Sequence, residues 1–239
     1  MSPYPLHTIL FLDIETVSQY PVFGEVPDDW AELWRRKAEN LTRDKPAAPP
    51  EALYGRAAIY AEFGKIICIS CGVLSGPPAE RKLLLKSFYG DDEKELLLRF
   101  CDLLYNWGSE GQKYLCAHNG KDFDFPYLCR RMIIHGMKLP SVLNLSGKKP
   151  WEVPHIDTME LWKFGEYKSF ISLNLLAHTL GIATPKDDID GSQVGDVYWT
   201  QRDLPRIVTY CQKDVATVAQ VFLRMNGETL VRPENVTIK

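Results

Sequence analysis

Thr8-Ile9-Leu10-Phe11-Leu12-Asp13-Ile14-Glu15-Thr16 is the stretch on which the fold turns. From Thr8 to Ile14 the run is almost continuously apolar and broken by Asp13, the pattern of a central strand covered on both faces. The strand period of two puts Asp13 and Glu15 on the same side, at a strand end. Two carboxylates held that close repel one another and resist desolvation unless a proton or cation intervenes, and a divalent metal with oxygen ligands does this well. A solitary Asp-x-Glu reads more readily as a solvated strand terminus, so the pair needs company elsewhere in the chain.

Outward from this strand, the composition changes between Val17 and about Phe63. Trp30, Leu33, Trp34 and Leu41 recur at helical spacing ahead of the loop-forming DKPAAPPE, and the stretch from about 20 to 62 reads as a partly helical insertion with both tryptophans packed inward. Lys65 to Leu74 and Arg81 to Tyr89 are strand-like runs joined by SGPPAE, a hairpin that extends the first strand into an antiparallel half-sheet. Asp91 and Asp92 precede KELLLRFCDLLYNW, whose Leu96, Phe100, Leu103, Leu104 and Trp107 share one helical face. Tyr114 to Ala117 is a short strand, Phe125 to His135 a helix that Gly136 ends, and HIDTMEL a short edge strand. SLNLLAHTLGI and LPRIVTYCQKDVATVAQVFLRM are two further amphipathic helices. Strands early and helices late describe one α/β domain over residues 1–239, with the insertion inside it.

Composition bounds the function. The net charge of −3 argues against a protein that coats nucleic acid, whose affinity would come from Lys and Arg. It leaves room for a phosphodiesterase, in which bound cations supply local positive charge. The six cysteines lie in apolar runs and read as reduced, cytoplasmic thiols. Cys68 and Cys71 form a CxxC inside a strand, where residues three apart face opposite ways, and no second pair exists to complete a zinc site. The N-terminal run lacks the basic start of a secretory signal, and no segment reaches membrane-spanning length.

Two more acidic motifs accompany the first. His118-Asn119-Gly120-Lys121-Asp122-Phe123-Asp124-Phe125-Pro126-Tyr127-Leu128 falls where a strand gives way to a helix, the usual place for a site in an open α/β sheet. Asp124 is placed to hold a metal at the helix start, while Asp122 reads as a solvated loop acid or cap. Phe123 offers a face to a base or packs into the core, and both readings stay open. In Tyr210-Cys211-Gln212-Lys213-Asp214 a spacing of four sets Tyr210 and Asp214 on one helical face. The Thr184 to Trp199 stretch contains DxDG but has Lys186 and Val197 where a calcium loop needs ligands, so it reads as a charged turn with Lys186 near phosphate as the lesser reading. Lys148, Lys149 and Trp151 are read the same way. His118, His155 and His178 are assigned structural roles, and Asp157 is the further acid nearest to joining the set.

The order DxE, NGxxFDxPYL, YxxxD resembles the three exonuclease motifs of the DEDD superfamily, in its tyrosine-bearing branch. The histidine branch carries His five residues before the last Asp, where this chain has Thr209. The chain is most similar to the proofreading exonuclease domain of family B DNA polymerases, and to stand-alone exonucleases related to it, from Ile9 to about Met225. The resemblance implies a ribonuclease H-like fold with a mixed five-stranded sheet, three antiparallel strands and then two parallel, flanked by helices. It implies that Asp13, Glu15, Asp124 and Asp214 bind two Mg²⁺ or Mn²⁺ ions while Tyr210 orients the attacking water. Thr16, Asn119 and Phe123 become substrate contacts. The activity expected is 3′–5′ exonucleolytic release of 5′-mononucleotides from single-stranded DNA. An exoribonuclease of the same chemistry is the nearest rival, and a catalytically inactive nucleic-acid-binding module the alternative of another class. A proofreading or repair role would call on a polymerase or repair partner in trans.

Overall fold

A computed structural model of the chain describes residues 4–43, 46, 48–108, 111–167, 169–183 and 189–239. Its strands are β1 (Ile9–Ser18), β2 (Gly64–Ser75), β3 (Lys82–Tyr89), β4 (Tyr114–Ala117), β5 (Ile156–Asp157) and β6 (Val236–Ile238), in one mixed sheet of order β5-β4-β1-β2-β3-β6. The expected three antiparallel strands are β1, β2 and β3, and the two parallel ones β4 and β5. The sheet has six strands rather than five because β6 adds to the edge of β3 in parallel. Three residues after a turn carry no readable period, and their pairing with Leu83 to Leu85 makes them a strand.

The helices are α1 (Asp28–Leu41), α2 (Pro50–Leu53), α3 (Glu93–Trp107), α4 (Asp124–Ile134), α5 (Thr158–Lys163), α6 (Leu173–Thr179), α7 (Val194–Trp199) and α8 (Leu204–Met225). β1 is central, and its alternation divides the core. Ile9 and Phe11 pack with Val215, Val218 and Phe222 of α8, while Leu10, Leu12 and Ile14 pack with α3 and α4 through Leu96, Phe100, Phe125 and Leu128. α3 starts where Asp92 accepts the Glu95 amide at 3.0 Å.

Two expected elements differ. HIDTMEL is strand only at Ile156–Asp157 and then turns into α5, because the Asp157 carboxylate accepts the amides of Met159 and Glu160 and starts a helix there. The stretch read as a charged turn contains α7, whose Val194, Val197 and Tyr198 are buried. Lys65 holds it by lying 5.0 Å from the ring centres of both Tyr198 and Trp199. Lys186 lies outside the described residues.

The insertion is helical as expected and folds around Trp34, which is fully buried against Tyr54 and Phe63 and donates from Nε1 to the Pro50 carbonyl at 2.9 Å. Trp30, expected inside, is 42% exposed and touches Phe63 by one edge. Cys68 and Cys71 lie in separate clusters, Cys68 beneath α8 and Cys71 on the opposite face, and all six cysteines are free thiols.

One buried ion pair fastens the helical layer to the sheet and the insertion. Arg131 of α4 meets Glu93 at the start of α3 through Nε and Nη2, and donates from Nη1 to the Ala61 carbonyl at 2.8 Å. Glu93 Oε1 also accepts the Ile66 amide of β2 at 2.7 Å, and His135 Nε2 reaches Oε2 at 2.7 Å. With both partners buried and their bonds filled, removing one leaves the other charge stranded. Glu93→Ala is expected to destabilise the fold by about 3–5 kcal/mol, read as a lowered denaturant midpoint at unchanged m-value. A midpoint equal to wild type would show that the pair carries no net stability.

Candidate active site

β1 outruns its parallel neighbour. β4 pairs only with Ile9 to Phe11, so from Asp13 onward that side of β1 is open, and β1 itself continues to Ser18. Asp13 and Glu15 therefore stand within the strand, where the sheet forks, rather than at its end. Both project toward α8, on the face of Ile9 and Phe11. One carboxylate oxygen of each and the Cys211 Sγ lie within 4.8 Å of one another. Immediately beyond, the pairing slips between Glu15↔Cys68 and Thr16↔Ile66, leaving Ile67 as an extra residue of β2.

Asp124 fills the fork. As the first residue of α4 it is buried, and it accepts the Ile14 amide at 3.2 Å, a backbone donor that β4 leaves unpaired. The loop that delivers it, Asn119 to Phe123, is wound tightly: Asn119 has φ 63°, and its carbonyl accepts the amides of Asp122 and Phe123. Gly120 is required here, since a Cβ would lie 2.4 Å from that of Ala117. Asp157 fixes this loop from outside, accepting the amides of Asn119 and Lys121 at 2.9 and 3.0 Å in addition to its two α5 bonds. The acid nearest to joining the metal set is thus a scaffold with its oxygens filled. Asp122 is exposed, with no part in the cluster.

α8 brings the last members. The charge of Asp214 is felt at Asp13, Glu15, Asp124 and Tyr210, so four acids from β1, α4 and α8 share one field. Burial, followed by the charges of neighbouring carboxylates, holds the carboxyls of Asp13 and Glu15 well above the usual range. Burial likewise pushes Asp124 up to about 7, against its own and the Ile14 amide, which favour the ionised form. The Tyr210 hydroxyl is pushed upward by burial and then by Asp214, Glu15 and Asp13, so it stays protonated. Cys211 was not foreseen. Its thiol, kept protonated by burial, lies 3.3 Å from Asp13 Oδ2 and serves as donor to it. Nothing in the motif spacing signals this contact.

Clefts open on both sides of the acids. One, of about 750 Å³, is lined by Glu15, Thr16 and Phe123, with Arg56 and Ile59 of the insertion and Trp199 of α7 in its walls. The other, of about 500 Å³, is lined by Tyr210 and Asp214 together with Ser172 to Asn174 at the start of α6. Phe123 packs 5.3 Å from the Tyr127 ring and also lines the larger cleft. Asn119 has its backbone engaged as described. His118 and His155 are structural. His118 bridges Thr158 and the Ile171 carbonyl, and His155 accepts the Leu115 amide and donates to Val142, burial drawing it down to about 4. Trp151 is exposed beneath the Lys149 ammonium in a solvent-facing turn.

A family model described as a predicted 3′–5′ exonuclease related to the exonuclease domain of PolB matches residues 59–230. The chain belongs to this family. The matched span contains Asp124, Tyr210 and Asp214, and β1 adds Asp13 and Glu15 from before it. Among solved structures, the family B DNA polymerase from the hyperthermophilic archaeon Pyrobaculum calidifontis is similar with a TM-score of 0.53 at 14% identity, over 90% of this chain and 24% of the polymerase. This chain thus spans about a quarter of that protein's length, and the likeness is one of fold, the ribonuclease H-like sheet flanked by helices. No curated protein matches by sequence. No helix among the described residues is long and apolar enough to cross a membrane.

The donor set fits hard divalent cations: four carboxylates, three of them with raised affinity for protons that a cation would displace. A folded-state pKa above the unfolded value stabilises the protein at low pH and ceases to do so as pH rises through it. In EDTA, the contribution of Asp124 is therefore expected to be complete below about pH 4 and lost through about pH 7. Asp124→Asn, which keeps an acceptor for Ile14, should raise the metal-free Tm at about pH 8 by about 2–4 °C per kcal/mol relieved. Mg²⁺ should stabilise wild type more at that pH than at about pH 5. A metal-free Tm higher at pH 8 than at pH 5, with no gain in the variant, would contradict the repulsive cluster.

Proposed function

We propose that this chain hydrolyses phosphodiester bonds at the 3′ end of single-stranded DNA and releases 5′-mononucleotides, using two divalent ions, Mg²⁺ or Mn²⁺, held by Asp13, Glu15, Asp124 and Asp214. The observation that carries the proposal is the shared field of four carboxylates from three separate elements, beside a tyrosine that stays protonated. The family assignment supports the reaction class. Bound at these acids, the ions would acidify water and offset charge on the leaving 3′ oxygen.

The chain's own groups do the rest. Tyr210, whose hydroxyl faces Asp214, keeps its proton and so positions the attacking water as a hydrogen-bonding group rather than as a base. Thr16 and Phe123 share a cleft with Glu15 and suit the terminal sugar and base; Asn119 belongs to the same loop as Phe123. Among the described residues lining that cleft, Arg56 is the one cationic side chain, and it is suited to a backbone phosphate, which the acids would otherwise repel. Six free thiols are in keeping with a cytoplasmic setting, and a polymerase or repair enzyme acting in trans is the proposed partner.

Single-stranded DNA labelled at the 3′ or the 5′ end, incubated with Mg²⁺ or Mn²⁺, is expected to shorten stepwise from its 3′ end, and not with EDTA or in Asp13→Ala. Folded, metal-loaded protein that cleaves neither this DNA nor a matched RNA would overturn the proposal. Tyr210→Phe should lower kcat by about 10²–10³-fold, as expected on losing one preorganised hydrogen-bonding group, with KM nearly unchanged; unaltered kcat would remove Tyr210 from the mechanism.

A further inference from the structure

Between α5 and α6 the chain exposes large rings that the candidate site does not use. Phe164 is 86%, Tyr167 91% and Phe170 74% exposed, all within seven residues. This is not a failure to find a core, because the flanking Trp162 and Ile171 both pack into the cluster formed with Leu176 and Val221. The chain partly buries the two ends of the segment and turns the rings between them outward.

Two further observations bear on what the rings meet. Phe164 sits at φ 45° and Gly165 at φ 89°, a left-handed pair closed by the Glu166 amide donating to the Lys163 carbonyl at 2.8 Å. A bulky aromatic residue is rarely found in that region, and the strain is maintained at a ring that is 86% exposed. Lys163 places its ammonium 4.8 Å from the Phe170 ring centre, setting a cation beside an exposed π face. Exposed rings with a cation beside one of them suit a single-stranded nucleic acid, in which bases stack on the rings and a phosphate meets the lysine.

The segment is also continuous with the acid site. Its last residue, Ile171, is held by His118 Nε2 at 2.8 Å, and the next three, Ser172 to Asn174, line the cleft that contains Tyr210 and Asp214. A strand whose terminal nucleotide lies in the cleft of Glu15, Thr16 and Phe123 would leave through this second cleft and pass the rings. We infer that Phe164, Tyr167 and Phe170, with Lys163, form a stacking platform for the bases of the substrate strand upstream of its 3′ end. The inference rests on the exonuclease reading above.

Binding and turnover separate the two. Anisotropy of a 5′-labelled oligothymidylate of about 12 nucleotides, in EDTA, measures the platform without cleavage. Hydrolysis of the p-nitrophenyl ester of thymidine 5′-phosphate, which has no upstream base, measures the acid site alone. Single alanine substitutions at the three rings are expected to raise Kd for the oligonucleotide roughly fivefold or more each, and the triple variant by more than tenfold. Ester hydrolysis should match wild type, and Phe170→Trp should retain tight binding. Oligonucleotide affinity unchanged in the triple variant would overturn the platform, and leave the exonuclease reading intact if wild type still hydrolyses the ester. Ester and DNA both untouched by wild type would sink the exonuclease reading, while the anisotropy series would still decide the platform.

Discussion

Mutual repulsion among Asp13, Glu15, Asp124 and Asp214 is the constraint around which the molecule is arranged. Each acid is drawn from a different piece of scaffold or from alternate positions of one strand, and left to themselves they would turn into solvent or spread apart. They are held because each stands on backbone that cannot yield. β1 is packed on both faces, by α8 on one and by α3 and α4 on the other. Asp124 is tied to the Ile14 amide, and its loop is fixed from behind by Asp157. The free energy stored in the cluster is offset elsewhere, in satisfied networks such as Glu93 with Arg131 and Ile66, and in the apolar layers about β1.

The difference between Asp124 and Asp157 shows how environment separates two similar buried acids. Asp157 accepts four backbone amides, which fill its lone pairs and make the carboxylate a cap for α5 and a clamp for the Asn119 loop. Asp124 has fewer such donors, and burial with the charges of Asp157 and Asp214 raises its affinity for a proton, which a cation could displace. The same logic applies to Tyr210 and Cys211, adjacent on α8, both kept protonated by burial beside acids and therefore able only to donate or accept hydrogen bonds.

The parts of this arrangement governed by local pattern were legible in the sequence. α8 has the bounds read from its helical period, Leu204 to Met225, and the β2–β3 hairpin and α3 follow from alternation and capping. The pairing of Asp13 with Glu15 and of Tyr210 with Asp214 was readable from strand and helix periods, and the convergence of Asp124 with them only from the order of three short motifs. What stayed hidden depended on distant partners. α7 contains Gly195 and β-branched residues with little intrinsic helical tendency, and forms because Lys65 from β2 and the buried Val194 and Val197 hold it. β6 exists only through β3. Trp30 and Trp34 share one spacing in the sequence, and the position of Tyr54 and Tyr60, which meet Trp34, not periodicity, accompanies the burial of Trp34 alone.

The two clefts give the site a direction. On the side of Glu15 and Thr16 the walls are the insertion, with Arg56 and Ile59, and α7 with Trp199. These are the two additions to the sheet that the core strands do not require, and both lean over the same end of β1. On the side of Tyr210 and Asp214 the walls are the start of α6 and the residues Ile189, Asp190 and Gln193 ahead of α7, and beyond α6 lie the exposed rings of the α5–α6 connection. On the proposed exonuclease reading, a chain terminus would occupy the first side, beside Arg56, and the continuing strand the second, where the surface opens onto the exposed rings. The preference for ends would then originate not in the carboxylates, which are blind to what flanks the phosphate, but in the unequal surroundings of the acid cluster.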